Sequence, residues 1–274
     1  MDVEVRKAYS QQKGGIILEH LKWSYQDNIA TITIASPPAN ALSSSLLREL
    51  STVLDEIEPN REIRVVVIHG EGRFFSAGAD IKEFTTVESS DDFSKLGKFG
   101  QALFDRMEKY PKPIIAAIHG AALGGGLELA MACHIRLVSE TAKLGLPELQ
   151  LGLIPGFAGT QRLPKYVGVA RAAEMLFTSE PITGVEALQY GLANHAYPEN
   201  EVLENAFKLA RKVAKKSPIV TKAAIQLLNY AKSQEFYEGQ QKESELFGSV
   251  FVSNDAKEGI QAFMEKREPH FKGE

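Results

Sequence analysis

The chain has 274 residues, of which 44% are hydrophobic and 24% are charged, a composition typical of a globular protein that excludes a disordered or fibrous one. Its 35 acidic and 31 basic residues give a net charge of −4 at pH 7, so bulk electrostatics predict neither a nucleic-acid nor a membrane partner. The one cysteine, Cys133, cannot form an intramolecular disulfide and indicates a reducing compartment.

The first 20 residues place charged and amide side chains around one short apolar run, Ile16–Leu18. This run is too short for a secretory signal or a membrane span, so we expect a cytoplasmic protein. Strand-like alternation begins only after His20, which predicts that residues 1–20 are a poorly ordered extension without a role in the chemistry.

Alternating apolar residues on both sides of Asp27 and Asn28 predict a β-hairpin over residues 21–34. Residues 43–57 repeat leucine, valine and isoleucine at three- and four-residue spacings. Serines that can cap a helix stand at the start of this segment. The pattern predicts an amphipathic helix.

Continuous apolar runs at residues 65–68 and 114–118 predict two buried strands, with a helix around residues 103–110 between them. Each run is followed by a histidine and then by glycine. Because ligand sites form at the carboxyl ends of parallel strands, we expect the functional residues to follow residues 68 and 118.

Helical patterns dominate the C-terminal part of the chain, at residues 206–214, 220–231, 235–247 and 255–266. We therefore predict a core over residues 21–205 that carries the site and a helical region over residues 206–274. The polar segment 85–92 is predicted to be a mobile lid.

The segment after the first buried strand, residues 74–82, places small residues around Ala79. Backbone N–H groups there can approach a ligand oxygen closely. A tight turn between a strand and a helix explains the same spacing, so this motif alone does not decide between the two.

Three successive glycines, Gly124–Gly126, stand where the second strand leads into an apolar helix. Glycines at a helix start are costly unless the backbone itself is needed, and the free N–H groups of a helix N-terminus can bind negative charge. Neither GxxxxGK[ST] nor GxGxxG occurs in the chain, which favours an oxyanion site over a nucleotide site.

Two glutamates lie near these segments. Glu128 falls in the first turn of the predicted helix, where the helix dipole favours the ionised carboxylate of a general base, although a capping carboxylate is the commoner role there. Glu148 stands among leucines and an isoleucine, so burial would raise its pKa and make it a proton donor, unless it begins an exposed turn.

Other catalytic chemistries lack sequence support. The chain contains no HExxH, no cysteine and histidine spacing of a metal site and no GxSxG, so no metal is predicted. His69 and His119 follow the two buried strands and are expected to be structural histidines with hydrogen-bond partners.

Three motifs together resemble the crotonase or enoyl-CoA hydratase family: Phe-Ser-Ala-Gly-Ala-Asp-Ile-Lys-Glu-Phe at 75–84, Gly-Gly-Gly-Leu-Glu-Leu-Ala at 124–130, and Leu-Pro-Glu at 146–148 with Ile-Pro-Gly-Phe-Ala-Gly-Thr-Gln-Arg-Leu at 154–163. The resemblance extends roughly from Leu21 to the C-terminus. It implies an α/β fold, a spiral core of repeated ββα units with a helical C-terminal oligomerisation region, usually assembled as a hexamer of two trimers.

The implied activity is the reversible syn addition of water to a trans-2-enoyl-CoA thioester, which gives a 3-hydroxyacyl-CoA, by default in fatty-acid β-oxidation. No cofactor is implied, since coenzyme A is part of the substrate. The backbone N–H groups of Ala79 and Gly125 match the family's oxyanion hole for the thioester carbonyl. Glu128 would assist the attack of water on Cβ, and Glu148 would handle the proton at Cα. The resemblance also implies substrate and coenzyme A contacts at Ala77, Asp80, Ile81, Lys82, Gly124, Gly156, Phe263 and Lys266.

One segment departs from the family pattern. Where many hydratases have an Arg-Pro-Lys-Ala-like sequence, this chain has Ser-Pro-Pro-Ala at residues 36–39, so a lysine contact to coenzyme A is missing or is supplied elsewhere. The alternatives are a branched-chain, methylglutaconyl-type hydratase, an enoyl-CoA isomerase that uses Glu148 alone, and a non-catalytic acyl-CoA- or RNA-binding relative. The presence of both glutamates favours the hydratase.

Overall fold

The computed structural model of the protein describes residues 18–84, 90–233 and 235–274. The predicted extension over residues 1–20 lies outside this part of the chain as far as residue 17, and the predicted lid over residues 85–92 lies outside it as far as residue 89. The buried carboxylate of Glu49 anchors the start of the described chain, because it accepts hydrogen bonds from the backbone N–H groups of Glu19, His20 and Leu21.

The described strands form two sheets. In chain order they are β1 (Leu21–Gln26), β2 (Ile29–Ile34), β3 (Val65–Gly70), β4 (Phe74–Ser76), β5 (Ile114–Ile118), β6 (Ala121–Leu123), β7 (Ile135–Ser139), β8 (Lys143–Gly145), β9 (Ile182–Thr183) and β10 (His195–Tyr197). The larger sheet has the order β1-β2-β3-β5-β7-β10, and the smaller sheet has the order β4-β6-β8-β9.

The hairpin predicted over residues 21–34 is present. β1 and β2 pair antiparallel with Gln26 opposite Ile29, and the two residues of the turn, Asp27 and Asn28, have φ values of 52° and 64°. Two consecutive positive φ values give the turn the twist that suits a two-residue hairpin, and aspartate and asparagine tolerate them. From β2 to β10, neighbouring strands of the larger sheet are parallel.

The chain alternates between the two sheets. β3, β5 and β7 of the larger sheet lead directly into β4, β6 and β8 of the smaller sheet, and a helix follows each short strand. This order confirms the predicted α/β fold with repeated ββα units. The smaller-sheet strands were not predicted, because segments of three residues carry no readable alternation.

The helices are α1 (Ser44–Ile57), α2 (Ile81–Phe84), α3 (Ser90–Glu108), α4 (Gly125–Ala132), α5 (Gly159–Thr178), α6 (Gly184–Gln189), α7 (Val202–Ala214), α8 (Pro218–Ser233), α9 (Phe236–Phe251) and α10 (Asn254–Glu265), with short 3₁₀ helices at Glu148–Leu151 and Glu199–Glu201. α5 is interrupted at Gly168, whose φ is 77°. The last four helices confirm the helical C-terminal region, whereas α3 begins well before the helix predicted around residues 103–110. Its first turns contain Gly97, Gly100 and several polar residues, so the spacing of apolar residues did not predict them.

Both faces of the larger sheet are covered, which explains the continuous apolar runs of its central strands. Val66 and Ile68 of β3 face a core shared with α1, α3 and α4. Their neighbours Val65 and Val67 face a second core that contains α7. Helix α7 thus packs on the core sheet although most of it follows residue 205, where the domain boundary was predicted. The boundary itself stays a prediction.

Helix α1 illustrates how the sequence positions these layers. Ser43 caps it by accepting a hydrogen bond from the backbone N–H of Leu46, and its buried stripe includes Leu46, Leu50 and Leu54. Each fully buried leucine contributes about 2 kcal/mol of hydrophobic free energy.

A strap formed by residues 39–42 fixes the segment after β4. Leu42 donates its N–H to the carbonyl of Gly78 at 2.8 Å and accepts the N–H of Asp80 at 3.3 Å, and the N–H of Ala77 donates to the carbonyl of Ala39 at 3.0 Å. The backbone around position 79 is therefore held on both sides of that residue.

Asn40 holds the strap in place. Its Nδ2 donates to the carbonyls of Glu71 and Phe74 at 2.9 and 2.8 Å, and its Oδ1 accepts the N–H of Ser36 at 3.0 Å. The residue is 3% exposed and has a φ of 53°, a conformation that asparagine adopts more readily than most residues.

We expect Asn40→Ala to lower the free energy of unfolding by about 3 kcal/mol, because it removes three hydrogen bonds in a buried place and puts alanine at a positive φ. Asp27→Ala is the matched control: Asp27 has a similar φ, 52°, but lies in an exposed turn, so only the conformational cost of about 1 kcal/mol applies. Equilibrium unfolding in denaturant measures both, and equal losses would contradict the role given to the Asn40 side chain.

Candidate active site

Three adjacent parallel strands of the smaller sheet bring the predicted motifs together. β4, β6 and β8 are neighbours in that order, and neighbouring strands lie about 4.8 Å apart. Residues 77–79 follow β4, the glycines of the second motif follow β6, and Glu148 follows β8 after two residues. The carboxyl ends of the three strands therefore form one edge that carries all three motifs.

Two backbone N–H groups meet at this edge. The nitrogen of Ala79 lies 3.3 Å from the position that a Cβ on Gly125 would take, and the nitrogen of Gly125 lies 3.4 Å from the corresponding position on Gly78. Within the described residues, neither N–H donates to a backbone carbonyl or to a side chain. Both donors are therefore free to serve an acceptor of a bound molecule.

The glycines at the start of α4 are required by close approaches. Gly124 has a φ of 50°, and a Cβ there would lie 3.0 Å from Oε1 of Glu148; a Cβ on Gly126 would lie 2.3 Å from the carbonyl oxygen of Ser76. Side chains at these positions would push the turn away from β4 or displace a carboxylate. The second motif is thus explained by packing as well as by its free N–H groups.

Glu128 lies on the first turn of α4 and is 1% exposed. Its Oε1 accepts the backbone N–H groups of Phe157 and Gly159 at 2.8 and 2.6 Å. A Cβ on Gly159 would lie 2.8 Å from that oxygen, so glycine is needed for the second of these bonds. The carboxylate is held by a turn 29 and 31 residues further along the chain.

Glu148 is the first residue of the 3₁₀ helix after β8 and is half-buried. Its Oε2 is enclosed and has no hydrogen-bond partner among the described residues. The exposed turn considered for this residue in the sequence is therefore excluded. The unpaired oxygen belongs to a side chain that lines the same cavity as Glu128.

The two carboxyl groups influence each other's environment. Burial in the first place, and the negative charge of Glu148 in the second, raise the pKa of Glu128 to about 7, although the N–H groups of Gly159 and Phe157 and the cation of Arg162 oppose the rise. Burial also raises the pKa of Glu148, as expected from its apolar neighbours. The helix-dipole effect expected to keep Glu128 ionised is outweighed by the loss of solvent around it.

A cavity of about 190 Å³ lies between these groups. Of the residues predicted from sequence, it is lined by Ala77, Ala79, Ile81, Gly124, Gly125, Glu128, Glu148 and Gly156. Four other predicted contacts do not line it within one chain, namely Asp80, Lys82, Phe263 and Lys266; Asp80 accepts the N–H of Lys82, and Phe263 is 82% exposed on α10.

Several cavity residues were missed in the sequence. Leu151, Leu153, Ile154 and Phe157 form an apolar wall of the cavity. Their signal was the largely apolar sequence after Glu148, which only Gln150 interrupts with a polar side chain, but no spacing rule shows which of these side chains turn inward. Phe157 is the most buried of the four, at 9% exposure.

The histidines following the buried strands have partners, as predicted. His69 contacts Thr33 and the carbonyl of Gly70, and His119 contacts the carbonyl of Gly72. In the described ranges, no three His, Cys, Asp or Glu side chains are grouped so that they could hold a metal ion. No helix in the same ranges is long and apolar enough to cross a membrane.

Comparisons with known proteins agree with the sequence motifs. A probable enoyl-CoA hydratase from Bacillus subtilis (strain 168) is 60% identical over 248 residues, which cover 90% of this chain and 96% of the relative. A short-chain-enoyl-CoA hydratase from Clostridium acetobutylicum is 40% identical and covers 88% of this chain and 93% of its own.

The fold has solved counterparts as well. The crystal structure of an enoyl-CoA hydratase from Geobacillus kaustophilus HTA426 superposes with a TM-score of 0.90 at 34% identity, covering 94% of this chain and 98% of that one. The model of the Enoyl-CoA hydratase/isomerase family matches residues 24–274. With these relatives and this match over almost its whole length, the chain belongs to the enoyl-CoA hydratase/isomerase family of the crotonase superfamily.

Proposed function

We propose that this protein is an enoyl-CoA hydratase, which adds water in the syn sense to a trans-2-enoyl-CoA thioester and gives the 3-hydroxyacyl-CoA. The observation that carries the proposal is the arrangement of Glu128 and Glu148 on one small cavity beside the N–H groups of Ala79 and Gly125, which have no partner in the described part of the chain. The hydratase names of relatives over nearly the full chain support the same activity.

Polarisation of the thioester is assigned to the two backbone donors. As hydroxide adds to Cβ, negative charge builds on the thioester oxygen, and fixed donors stabilise that charge more than the neutral carbonyl. Each such donor contributes about 3 kcal/mol to the transition state in comparable sites. The strap under Ala79 and the close packing of Gly125 preorganise both N–H groups for this task.

The two carboxyl groups divide the proton transfers. Hydration needs a base to take a proton from water and an acid to deliver one to Cα. Two carboxyls facing each other in an apolar place release their protons in separate steps, so a form with one proton on the pair exists between the two steps. We assign the base to Glu128 and the acid to Glu148, with a water held between them.

The apolar wall of Leu151, Leu153, Ile154 and Phe157 fits the hydrocarbon part of an acyl group. Coenzyme A contacts at Lys82, Phe263 and Lys266 remain predictions from the family resemblance, as does the absence of a cofactor. A role in fatty-acid β-oxidation is proposed on the same basis, and a cytoplasmic location is proposed from the bacterial relatives and the single cysteine.

The alternative activities have less support. An enoyl-CoA isomerase that uses Glu148 alone does not need a second buried carboxyl on the cavity, yet Glu128 is held there by two N–H groups. A non-catalytic acyl-CoA- or RNA-binding protein likewise has no use for two carboxyls whose pKa values are raised. A branched-chain hydratase shares the site and differs only in the acyl group.

We also propose that the chain forms a homo-oligomer, for which a hexamer is the family expectation. The C-terminal helices carry exposed apolar side chains at Phe247, Phe251, Val252, Ile260, Phe263 and Met264. Large exposed apolar side chains that gather in one patch mark an interaction site more often than a free surface, so these residues are candidates for a subunit interface.

The hydration test uses crotonyl-CoA and the loss of its conjugated-thioester ultraviolet absorbance. We expect Glu128→Gln and Glu148→Gln each to lower kcat by about 10²- to 10⁴-fold, because each removes one proton-transfer group. Glu49→Gln is the control, since Glu49 is also buried and accepts backbone N–H groups but lies at the start of the chain, outside the cavity.

Near-wild-type hydration by either variant would contradict the two-glutamate assignment. An isomerase would keep its activity on a 3-enoyl-CoA when Glu128 is replaced. If the wild-type protein bound crotonyl-CoA without any loss of absorbance, the proposed activity would be wrong.

The raised pKa of Glu128 predicts a pH-dependent stability. A carboxyl whose pKa rises from 4.5 in the unfolded chain to about 7 in the fold favours folding below pH 4.5, and this contribution is lost as pH rises through 7. Glu128→Gln cannot ionise, so at pH 8 we expect it to be about 3 kcal/mol more stable relative to wild type than at pH 4. Denaturant unfolding at both pH values measures this, and a pH-independent difference would refute the raised pKa.

The oligomer is tested by light scattering after size-exclusion chromatography. We expect the wild-type protein to form an assembly and the double variant Phe247→Asp, Phe251→Asp to dissociate, because unpaired charges in an apolar interface are strongly unfavourable. Gln240→Asp introduces a charge on the same helix at an exposed polar position and serves as control. A monomeric wild-type protein would overturn the proposal.

A further inference from the structure

Arg162 is a buried cation close to the site. It lies on α5, its side chain is 5% exposed, and Nη1 donates to the carbonyl oxygen of Phe157. Nη2 pairs with Asp105 at 2.5 Å, and Nε lies 3.4 Å from Oε1 of Glu108. A buried guanidinium costs several kcal/mol unless it is paired, so the two acids of α3 allow Arg162 to remain there as a cation.

The carbonyl that Arg162 holds belongs to the turn that binds Glu128. Phe157 donates its own N–H to Oε1 of Glu128 at 2.8 Å, and Gly159 donates a second at 2.6 Å. Between them, Ala158 has a φ of 68°, a conformation that costs a non-glycine residue about 1–2 kcal/mol. The turn therefore needs external contacts to keep both N–H groups directed at one oxygen.

Apolar contacts fix the ring of Phe157 but not its peptide group. The ring packs edge-on against Phe104 of α3 with centroids 5.3 Å apart, and a Cβ on Gly100 would meet the same ring at 2.3 Å. Polar contacts set the orientation of the backbone, with Arg162 on the carbonyl side and Glu128 on the N–H side.

We propose that Arg162 is a positioning residue for Glu128: its guanidinium, neutralised by Asp105 and Glu108, clamps the 157–159 turn to α3 so that two N–H groups hold the carboxylate in the cavity. The expected effect on kcat rests on the proposed function, whereas the expected effect on the position of the Glu128 carboxylate rests on the geometry alone. Arg162 touches no reacting atom and acts only through this turn.

The charges around Glu128 predict in which direction its pKa moves when Arg162 is lost. Glu148 faces it with a negative charge that raises its pKa, and Arg162 faces it with a positive charge that lowers it. Asp105 and Glu108 face Arg162, and Glu108 is also paired with Lys232 at 3.3 Å. Loss of the guanidinium removes a cation and loosens two N–H donors, and both changes raise the pKa of Glu128.

Arg162→Met and the conservative Arg162→Lys test the proposal. Arg136→Met is the matched control, because Arg136 is equally buried and donates to the carbonyls of Leu192, Ala130 and Cys133, away from the 157–159 turn. The protonated carboxyl of Glu128 is followed by infrared titration, in which each protein is compared with its own Glu128→Gln derivative. Hydration of crotonyl-CoA is measured in parallel.

We expect Arg162→Met to move the titration of Glu128 upward by about 1 pH unit and to lower kcat by about 10²-fold with a smaller effect on KM. Arg162→Lys keeps a cation without the planar fork and should lie between Arg162→Met and wild type. If Arg162→Met does not fold, the comparison of Arg162→Lys with wild type decides in the same way.

A titration midpoint in the Arg162 variants no higher than in Arg136→Met would overturn the proposal, whatever happens to the rate. If the midpoint rises in the Arg162 variants but the wild-type protein does not hydrate crotonyl-CoA, the positioning role stands and the proposed function is refuted. The infrared titration thus separates the two failures.

Discussion

The hydrogen bonds that Oε1 of Glu128 accepts from Phe157 and Gly159 join the two halves of the site. Glu128 stands on the helix that begins with Gly125, whose N–H is one of the two donors without a partner among the described residues, and the turn at 157–159 directly follows the apolar wall of the cavity. A shift of this turn therefore moves the carboxylate relative to the donors. Since catalytic groups must be held within about 0.5 Å of productive geometry, these two bonds constrain much of the surrounding sequence.

This constraint explains why glycines stand next to both carboxyl groups. A Cβ at Gly124 would lie 3.0 Å from the carboxylate of Glu148, and one at Gly159 would lie 2.8 Å from that of Glu128. Each proposed catalytic carboxyl is thus approached by a backbone that has room for hydrogen alone. The glycines are costly for the helices they begin, and their presence follows from the need to bring backbone close to both carboxyl groups.

Sequence patterns predicted the elements whose periodicity is long enough to read. The hairpin around Asp27, the amphipathic α1 and the buried strands β3 and β5 were located almost to the residue, and the family motifs placed Glu128, Glu148, Ala79 and Gly125 on one site. The three-residue strands β4, β6 and β8, which align these motifs, carry no periodic signal. Arg162 was equally hidden, because its role depends on the distant α3 and on a turn with alanine at positive φ.

Glu49 and the half-buried Glu148 differ in how many of their carboxylate oxygens accept hydrogen bonds. Glu49 accepts three backbone N–H groups through both oxygens and serves to anchor the chain. In contrast, Oε2 of Glu148 is enclosed without a partner in the described structure, and such a group costs about 1–3 kcal/mol. An unpaired acceptor is tolerated when a ligand or water completes it, and Glu148 lines a cavity that can admit one. Whether the carboxylate oxygens are already hydrogen-bonded, more than burial itself, distinguishes a structural carboxylate such as Glu49 from one such as Glu148 that is available for chemistry.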